Sequence, residues 1–155
     1  MAYEQSTAGI IVKYAVESTA GTIPSASASY TTIPNVKSIP EMNASPNTID
    51  VTDLSETEYK KYIFGLKDLG GDLAFGVNMT TDLKSKWDAL VTAADTAWAA
   101  GKSTWFEVVI PGWTDGFFFA GRPAPIGMVA AEVDAALEGE VHIAPVQVKG
   151  WATKI

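Results

Sequence analysis

The chain of 155 residues has no cysteine and one histidine, His142. Without cysteine it can form neither a disulfide bond nor a thiolate zinc site. We expect His142 to lie on the surface of a strand, because it alternates there with Glu140 and has no second histidine nearby. The sequence also has no nucleophile elbow, phosphate-binding loop, dinucleotide fingerprint or calcium-loop spacing. We therefore predict that the protein is not an enzyme and has no catalytic residue, metal site or cofactor.

Positive charge is scarce and scattered along the chain. The chain has eighteen acidic and eleven basic residues, so its net charge is −7. The only directly adjacent basic pair is Lys60 with Lys61. Since stable binding of nucleic acid depends on many cationic contacts, the composition excludes a protein that grips a phosphate backbone. No stretch approaches the roughly 18 to 20 apolar residues of a membrane helix, and no classical signal peptide opens the chain. We expect neither membrane insertion nor export by that route.

What the sequence does contain is ample apolar material, because 47% of its residues are hydrophobic. A chain of this length is close to the size that one hydrophobic core sustains. We therefore expect a single domain over residues 1–155. Four aspartates, Asp50, Asp53, Asp68 and Asp72, could converge on a cation, but carboxylates that flank strands and turns are usually solvated or capping. We predict no metal ion there.

The most distinctive segment, residues 45–72, predicts a short capped helix between two strands. A strand ends at Ile49, Asp50 and Val51, and Ser55 followed by Glu58 fits a capping box. Gly65 can adopt the left-handed conformation that ends a helix. Residues at spacings of three and four give the predicted helix an apolar face: Tyr59, Tyr62, Ile63 and Leu66.

Such a helix is too short to be stable alone, so we predict that the segment is an assembly loop ordered by contact with another subunit. Its turn at Leu69–Asp72 leads into a further strand in which Leu73, Phe75 and Val77 alternate with small or polar residues. The residues that we assign to this inter-subunit contact are Asp50, Thr52, Asp53, Ser55, Glu58, Tyr59, Tyr62, Ile63 and Leu66.

A longer amphipathic helix is predicted at about residues 81–100. Thr81 is a plausible N-cap, Asp82 favours the positive end of the helix dipole, and Gly101 marks the end. Aromatic residues at helical spacing usually pack in a core, so we expect the helix to cover one face of a sheet. The core positions predicted on it are Leu83, Trp87, Leu90, Val91 and Trp98.

Short alternating segments elsewhere predict strands, at Ile10–Val16, Thr32–Ile39, Trp105–Ile110, Gly116–Ala120 and Glu140–Trp151. Together with the strands that flank the assembly loop they give about six to eight strands around one helix. The expected fold is mainly β, a sandwich or barrel with one packed α-helix and a long loop at about residues 45–72.

Three segments, in order, resemble the tail tube proteins of long-tailed, siphovirus-type bacteriophages: IIVKYAVESTAG, YTTIPNVKSIPEM and NTIDVTDLSETEYKKYIFGLKDLGGDLAF. The resemblance implies a structural virion protein that forms six-membered rings, stacked into a tube through which DNA passes without specific binding. It also implies the tape measure protein, the tail terminator and the distal tail protein as partners. The implied location is the virion tail, with assembly in the host cytoplasm.

Other function classes remain open from the residues. A tail terminator or another component with the tail-tube fold would share the resemblance. A β-sandwich carbohydrate-binding module would be a monomer that uses exposed tryptophan. A small β-barrel enzyme would need a pocket with convergent polar groups, for which the sequence offers no candidate.

Overall fold

The computed structural model describes residue 6 and residues 8–155. It is mainly β, with 36% of residues in strands and 15% in helices, which confirms the expected fold class. The elements are β1 (Ile11–Val16), a 3₁₀ turn (Ser27–Ser29), β2 (Thr31–Thr32), β3 (Val36–Ser38), β4 (Thr48–Asp50), β5 (Tyr62–Phe64), β6 (Leu73–Asn78), α1 (Thr81–Ala99), β7 (Thr104–Val109), β8 (Asp115–Pro123) and β9 (Glu138–Thr153).

Seven strands form one antiparallel sheet in the order β2-β1-β7-β8-β9-β6-β3. The sheet curls into a half-barrel. The short segment between β2 and β3 reaches from one edge to the other: the Ile33 amide donates to the Val12 carbonyl in β1 at 2.9 Å, and the Asn35 carbonyl accepts from the Asn78 amide at the end of β6 at 2.9 Å. Because an extended residue spans at most about 3.6 Å, the two edges must lie close together.

This crossing corrects one predicted element. The expected single strand at Thr32–Ile39 is instead two short strands at opposite edges of the sheet, β2 and β3. Asn35, which lies between them, has a φ of 60°, a left-handed conformation that interrupts an extended strand. The strands predicted near Ile10–Val16, Trp105–Ile110 and Gly116–Ala120 are confirmed, and β9 is longer than expected.

The main core lies between one face of this sheet and α1. Phe106 and Phe119 occupy paired positions on β7 and β8, and their rings stack 5.2 Å apart. From the helix, Trp87 is 1% exposed and its Nε1 donates to the Ala124 carbonyl at 2.8 Å. The buried members of this core are Val12, Ile33, Leu73, Phe75, Val77, Leu83, Trp87, Leu90, Phe106, Val108, Phe119, Val141 and Ile143.

The ends of α1 are set by local hydrogen bonds. The N-cap is Thr80, one residue before the predicted one, and its hydroxyl accepts from the Leu83 amide at 3.1 Å. At the other end Gly101 has a φ of 75°, and the amides of Gly101 and Lys102 donate to the Trp98 and Ala97 carbonyls. This is the Schellman arrangement, which satisfies carbonyls that the helix leaves unpaired.

The prediction that Trp98 lies in the core is wrong. Trp98 is 45% exposed, and its ring lies 4.8 Å from the Arg122 guanidinium on the surface. Its neighbour Ala97 takes the core-facing position, and one residue along a helix turns the side chain by about 100°. Val91 is half-buried at the edge of the core.

The opposite face of the sheet carries a second, smaller cluster of Trp105, Phe118 and Ala120. Beside it, burial and then the Glu107 carboxylate raise the pKa of Tyr30 to about 12. Within the described chain no helix combines the length and apolar character that crossing a bilayer requires.

Candidate assembly arm

Residues 45–72 form a feature that we call the arm, built around a β-hairpin that stands apart from the seven-stranded sheet. Its strands β4 and β5 make a two-stranded antiparallel sheet of their own. Ile49 pairs with Ile63 and Asp50 pairs with Tyr62. The short helix predicted for this segment is therefore wrong.

The predicted capping box fails because its serine is already engaged. Asp53 Oδ1 accepts both the Ser55 amide, at 3.0 Å, and the Ser55 hydroxyl, at 2.5 Å. The aspartate thus forms an Asx turn that favours a loop over a helical start. Glu58 lies exposed beyond this turn, and Gly65 continues the hairpin by donating its amide to the Asn47 carbonyl at 2.5 Å. Gly65 is not among the residues with a left-handed backbone, so it ends no helix.

Side chains close the loop of the hairpin on itself. Thr52 Oγ1 accepts from the Lys61 amide at 2.7 Å, and the Val51 amide donates to the Lys61 carbonyl at 3.0 Å. Asp50 Oδ1 accepts from the Thr52 amide at 2.9 Å. Hydrogen bonds from Thr52 lower the pKa of Asp50, and those from Ser55 lower the pKa of Asp53. The turn is therefore ordered by polar contacts within the arm.

The strands of the arm, by contrast, expose apolar side chains on both faces. Paired residues share a face, so Ile49 and Ile63 lie on one face and Tyr62 lies on the other. Val51 shares the first face and Phe64 the second, by alternation. The exposed fractions are 48% for Ile49, 45% for Val51, 55% for Tyr62, 52% for Ile63 and 77% for Phe64. A two-stranded hairpin is marginally stable in water at best, so a surface that covered these side chains would stabilise it.

The hairpin regroups the residues that the helical pattern had placed together. Tyr62 and Ile63, expected on one helical face, point to opposite faces of the hairpin. Tyr59 and Leu66 lie outside β5 and are 80% and 91% exposed. The helical pattern also missed Phe64, although the continuous apolar run Tyr62–Phe64 is a pattern that a short strand can have.

The roots of the arm, near Met42–Ala44 and Lys67–Gly70, line a groove of about 1010 Å³ against the second half of β9. Strand β6 pairs with β9 only as far as Ile143. Beyond it, residues 144–153 of β9 pair with β8 on one side and have no strand partner on the other among the described residues. Exposed apolar side chains lie along this free edge: Val146, Val148 and Trp151.

The aspartates considered as a cation site are engaged separately. Asp50, Asp53 and Asp68 each accept a backbone amide two residues ahead. Asp72 instead contacts His142 Nδ1 at 2.8 Å on the exposed surface. No group of three histidine, cysteine, aspartate or glutamate residues in the described chain could hold a metal ion.

Comparison with solved structures identifies the kind of particle in which this fold occurs. A chain of the anti-feeding prophage (AFP) baseplate, a 6-fold symmetrised cryo-EM structure, is 11% identical over the whole of both chains, with a TM-score of 0.62. A chain from the tail of an empty GTA particle, refined with C6 symmetry, is 14% identical over 98% of this chain and all of that one, with a TM-score of 0.58. No protein-family model and no curated protein sequence matches.

The chain therefore shares its fold with components of six-fold tail and baseplate particles.

Proposed function

We propose that this protein is a structural component of a bacteriophage tail that assembles into six-membered rings stacked as a tube, a conduit for DNA. The observation that carries the proposal is the arm, whose apolar side chains are exposed on both faces. A strand with apolar residues on both faces is typical of one buried on both sides. In a repeating assembly other copies of the chain supply the two covering surfaces.

The free edge of β9 supports ring formation. An unpaired strand edge is a template for pairing with another chain, and closing a sheet around a ring removes such edges. The half-barrel with its edge at residues 144–153 has the geometry for this pairing. The likeness to chains of six-fold particles favours rings of six.

Charge is compatible with a conduit. Six copies of a chain with a net charge of −7 give −42 per ring. A wall of like charge repels DNA and keeps it from adhering to the lumen. The proposed partners beyond the chain itself are the tape measure protein, the tail terminator and the distal tail protein. The proposed location is the virion tail, reached by assembly of single-domain subunits in the host cytoplasm.

A second candidate follows from the likeness to a baseplate chain. In it the protein forms a ring at one end of a tube, as a tail terminator or baseplate component would, without stacking into a polymer. The arm would then contact a different ring protein. Rings and tubes are distinguished by the same experiment that tests the proposal.

Electron microscopy of the concentrated protein provides that test. From the native chain we expect hollow tubes whose diameter is that of a single ring. From the variant Tyr62→Ser with Phe64→Ser we expect isolated monomers, because one face of its arm becomes polar. Trp98→Ser is the matched control, since it removes an exposed aromatic side chain outside the arm and should still form tubes. Isolated rings from the native chain would favour the ring component. Tubes from the arm variant, or a native chain that stays monomeric, would contradict the proposal.

A further inference from the structure

The connection between β8 and β9 is a second exposed apolar surface, outside the arm. It has no helix or strand between residues 124 and 137, and Met128 and Val133 are 84% and 90% exposed. Connections of this length without secondary structure are uncommon and are often binding loops. We call residues 124–140 the acidic segment, because they contain four acidic residues and no lysine or arginine: Glu132, Asp134, Glu138 and Glu140.

The acidic segment is anchored at its ends and open in its middle. Its first carbonyl, on Ala124, accepts from Trp87, and the Leu137 carbonyl accepts from the Met79 amide at 2.8 Å. Glu138 forms an ion pair with Lys37. The other three acidic residues form no ion pair among the described residues. The segment is therefore held at its two ends and presents uncompensated negative charge between them.

The β5 side of the arm has the opposite charge. Residues 59–67 contain three lysines and no acidic residue. Lys61 pairs with Glu56 within the arm, whereas Lys60 and Lys67 form no ion pair among the described residues. Between these lysines lie the exposed side chains of Tyr62, Phe64 and Leu66. The apolar side chains of the arm, flanked by positive charge, are thus complementary to the apolar side chains of the acidic segment, flanked by negative charge.

We propose that the β5 side of the arm of one copy docks on the acidic segment of a second copy. This rests on the proposed assembly of the chain with itself and names the surface that receives the arm. Opposite charges on two surfaces fix the partner and the register of the contact. Because the two surfaces differ, the contact is heterologous, and such contacts form closed rings or open polymers.

Charge reversal tests the contact. Lys60→Glu with Lys67→Glu reverses the arm without touching the pair of Lys61 and Glu56. On the acidic segment, Glu132→Lys is combined with Glu140→Lys, so that its unpaired residues change from a net charge of −3 to +1. Asp134 is left unchanged, because its φ of 58° disfavours lysine. Each double variant should raise the critical concentration for assembly, measured by sedimentation, by about tenfold, and the combination of all four substitutions should restore most of the loss.

Lys86→Glu provides the matched control, since it reverses a lysine on the outer face of α1 and should leave the critical concentration within about twofold of the native value. Crosslinking supplies an independent readout. The chain has no cysteine, so mixing copies that carry Lys60→Cys with copies that carry Glu132→Cys permits a disulfide only at the introduced positions. We expect a crosslinked heterodimer in assembled protein and none when Lys86→Cys replaces Lys60→Cys.

The outcomes separate this inference from the proposed function. If reversal of the acidic segment leaves assembly unchanged and no crosslink forms, while Tyr62→Ser with Phe64→Ser blocks tubes, the arm binds elsewhere and the inference is overturned. If Tyr62→Ser with Phe64→Ser still forms tubes, the proposed function itself fails. Loss of assembly in both double variants with rescue by the combination supports both.

Discussion

The seven-stranded sheet with α1 and the arm use apolar residues in opposite ways. In the sheet, Phe106 and Phe119 are 0% exposed and stacked, and Trp87 from the helix is 1% exposed. In the arm, Phe64 is 77% exposed and Leu66 is 91% exposed. Apolar burial is the main driving force of folding, so the sheet and helix can be stable within one chain. The arm lacks that contribution until another surface covers it.

The largest expected effect on folding comes from the core of the sheet. Trp87→Ala should destabilise the monomer by about 3 to 5 kcal/mol, because it removes a buried ring and leaves a cavity. Denaturant unfolding of the monomer measures this loss. The control is Trp98→Ala, which should cost far less because that ring is 45% exposed. If Trp87→Ala unfolds like the native chain but fails to assemble, Trp87 belongs to an interface. The contrast between a buried core and an exposed arm would then be wrong.

The N-cap of α1 should contribute less. Thr80→Ala removes the hydroxyl that accepts from the Leu83 amide and should cost about 1 kcal/mol in the same unfolding experiment. Thr81→Ala tests the capping position that the sequence suggested. It should have little effect, and equal losses for the two variants would show that the cap is misassigned.

Polar substitutions in the arm should leave the fold of the monomer almost unchanged. For Ile49→Ser with Ile63→Ser we expect a change in the unfolding free energy of the monomer within about 0.5 kcal/mol, as for exposed sites elsewhere. The same variant should assemble poorly, because the face of the arm that carries Ile49 and Ile63 becomes polar. A loss comparable to that of Trp87→Ala would instead show that the arm packs within its own subunit.

The smallest effect concerns pH and the turn of the arm. Since hydrogen bonds lower the pKa values of Asp50 and Asp53 in the folded arm, the ionised carboxylates order the turn above the ordinary aspartate pKa of about 3.9. That order should be constant near neutral pH and be lost as pH falls through the lowered values. The amide NMR shifts of Thr52 and Ser55 report it. Asp53→Asn should abolish the pH dependence at Ser55, and an unchanged titration there would contradict the assignment.

The central strands of the sheet could be predicted because the apolar residues on one of their faces are buried within the chain. Alternation of Leu73, Phe75 and Val77 matches a face that the structure buries. The same reasoning failed in the arm. Tyr59, Tyr62, Ile63 and Leu66 satisfy a helical period, but short apolar segments can also form strands, and periodicity alone cannot decide between them. If the proposed function holds, the covering surface that would decide lies outside the subunit.

Two other differences between the predicted and the observed structure have local causes. The crossing between β2 and β3 depends on the left-handed backbone of Asn35, which no hydrophobic pattern records. The exposure of Trp98 depends on Ala97, its neighbour on the helix, taking the buried position. In both cases the tertiary arrangement determines the local structure, whereas the spacing of apolar residues is compatible with both the predicted and the observed one.

Hydrogen–deuterium exchange of the arm tests the central claim most directly. The claim is that the hairpin is completed by another copy. Amides of β4 and β5 should exchange rapidly in the dilute monomer and become strongly protected in the assembled protein, whereas amides of β7, inside the sheet, should be protected in both and serve as the internal reference. Amides of β4 and β5 that are already protected in the monomer, or that remain unprotected in the assembly, would contradict the account.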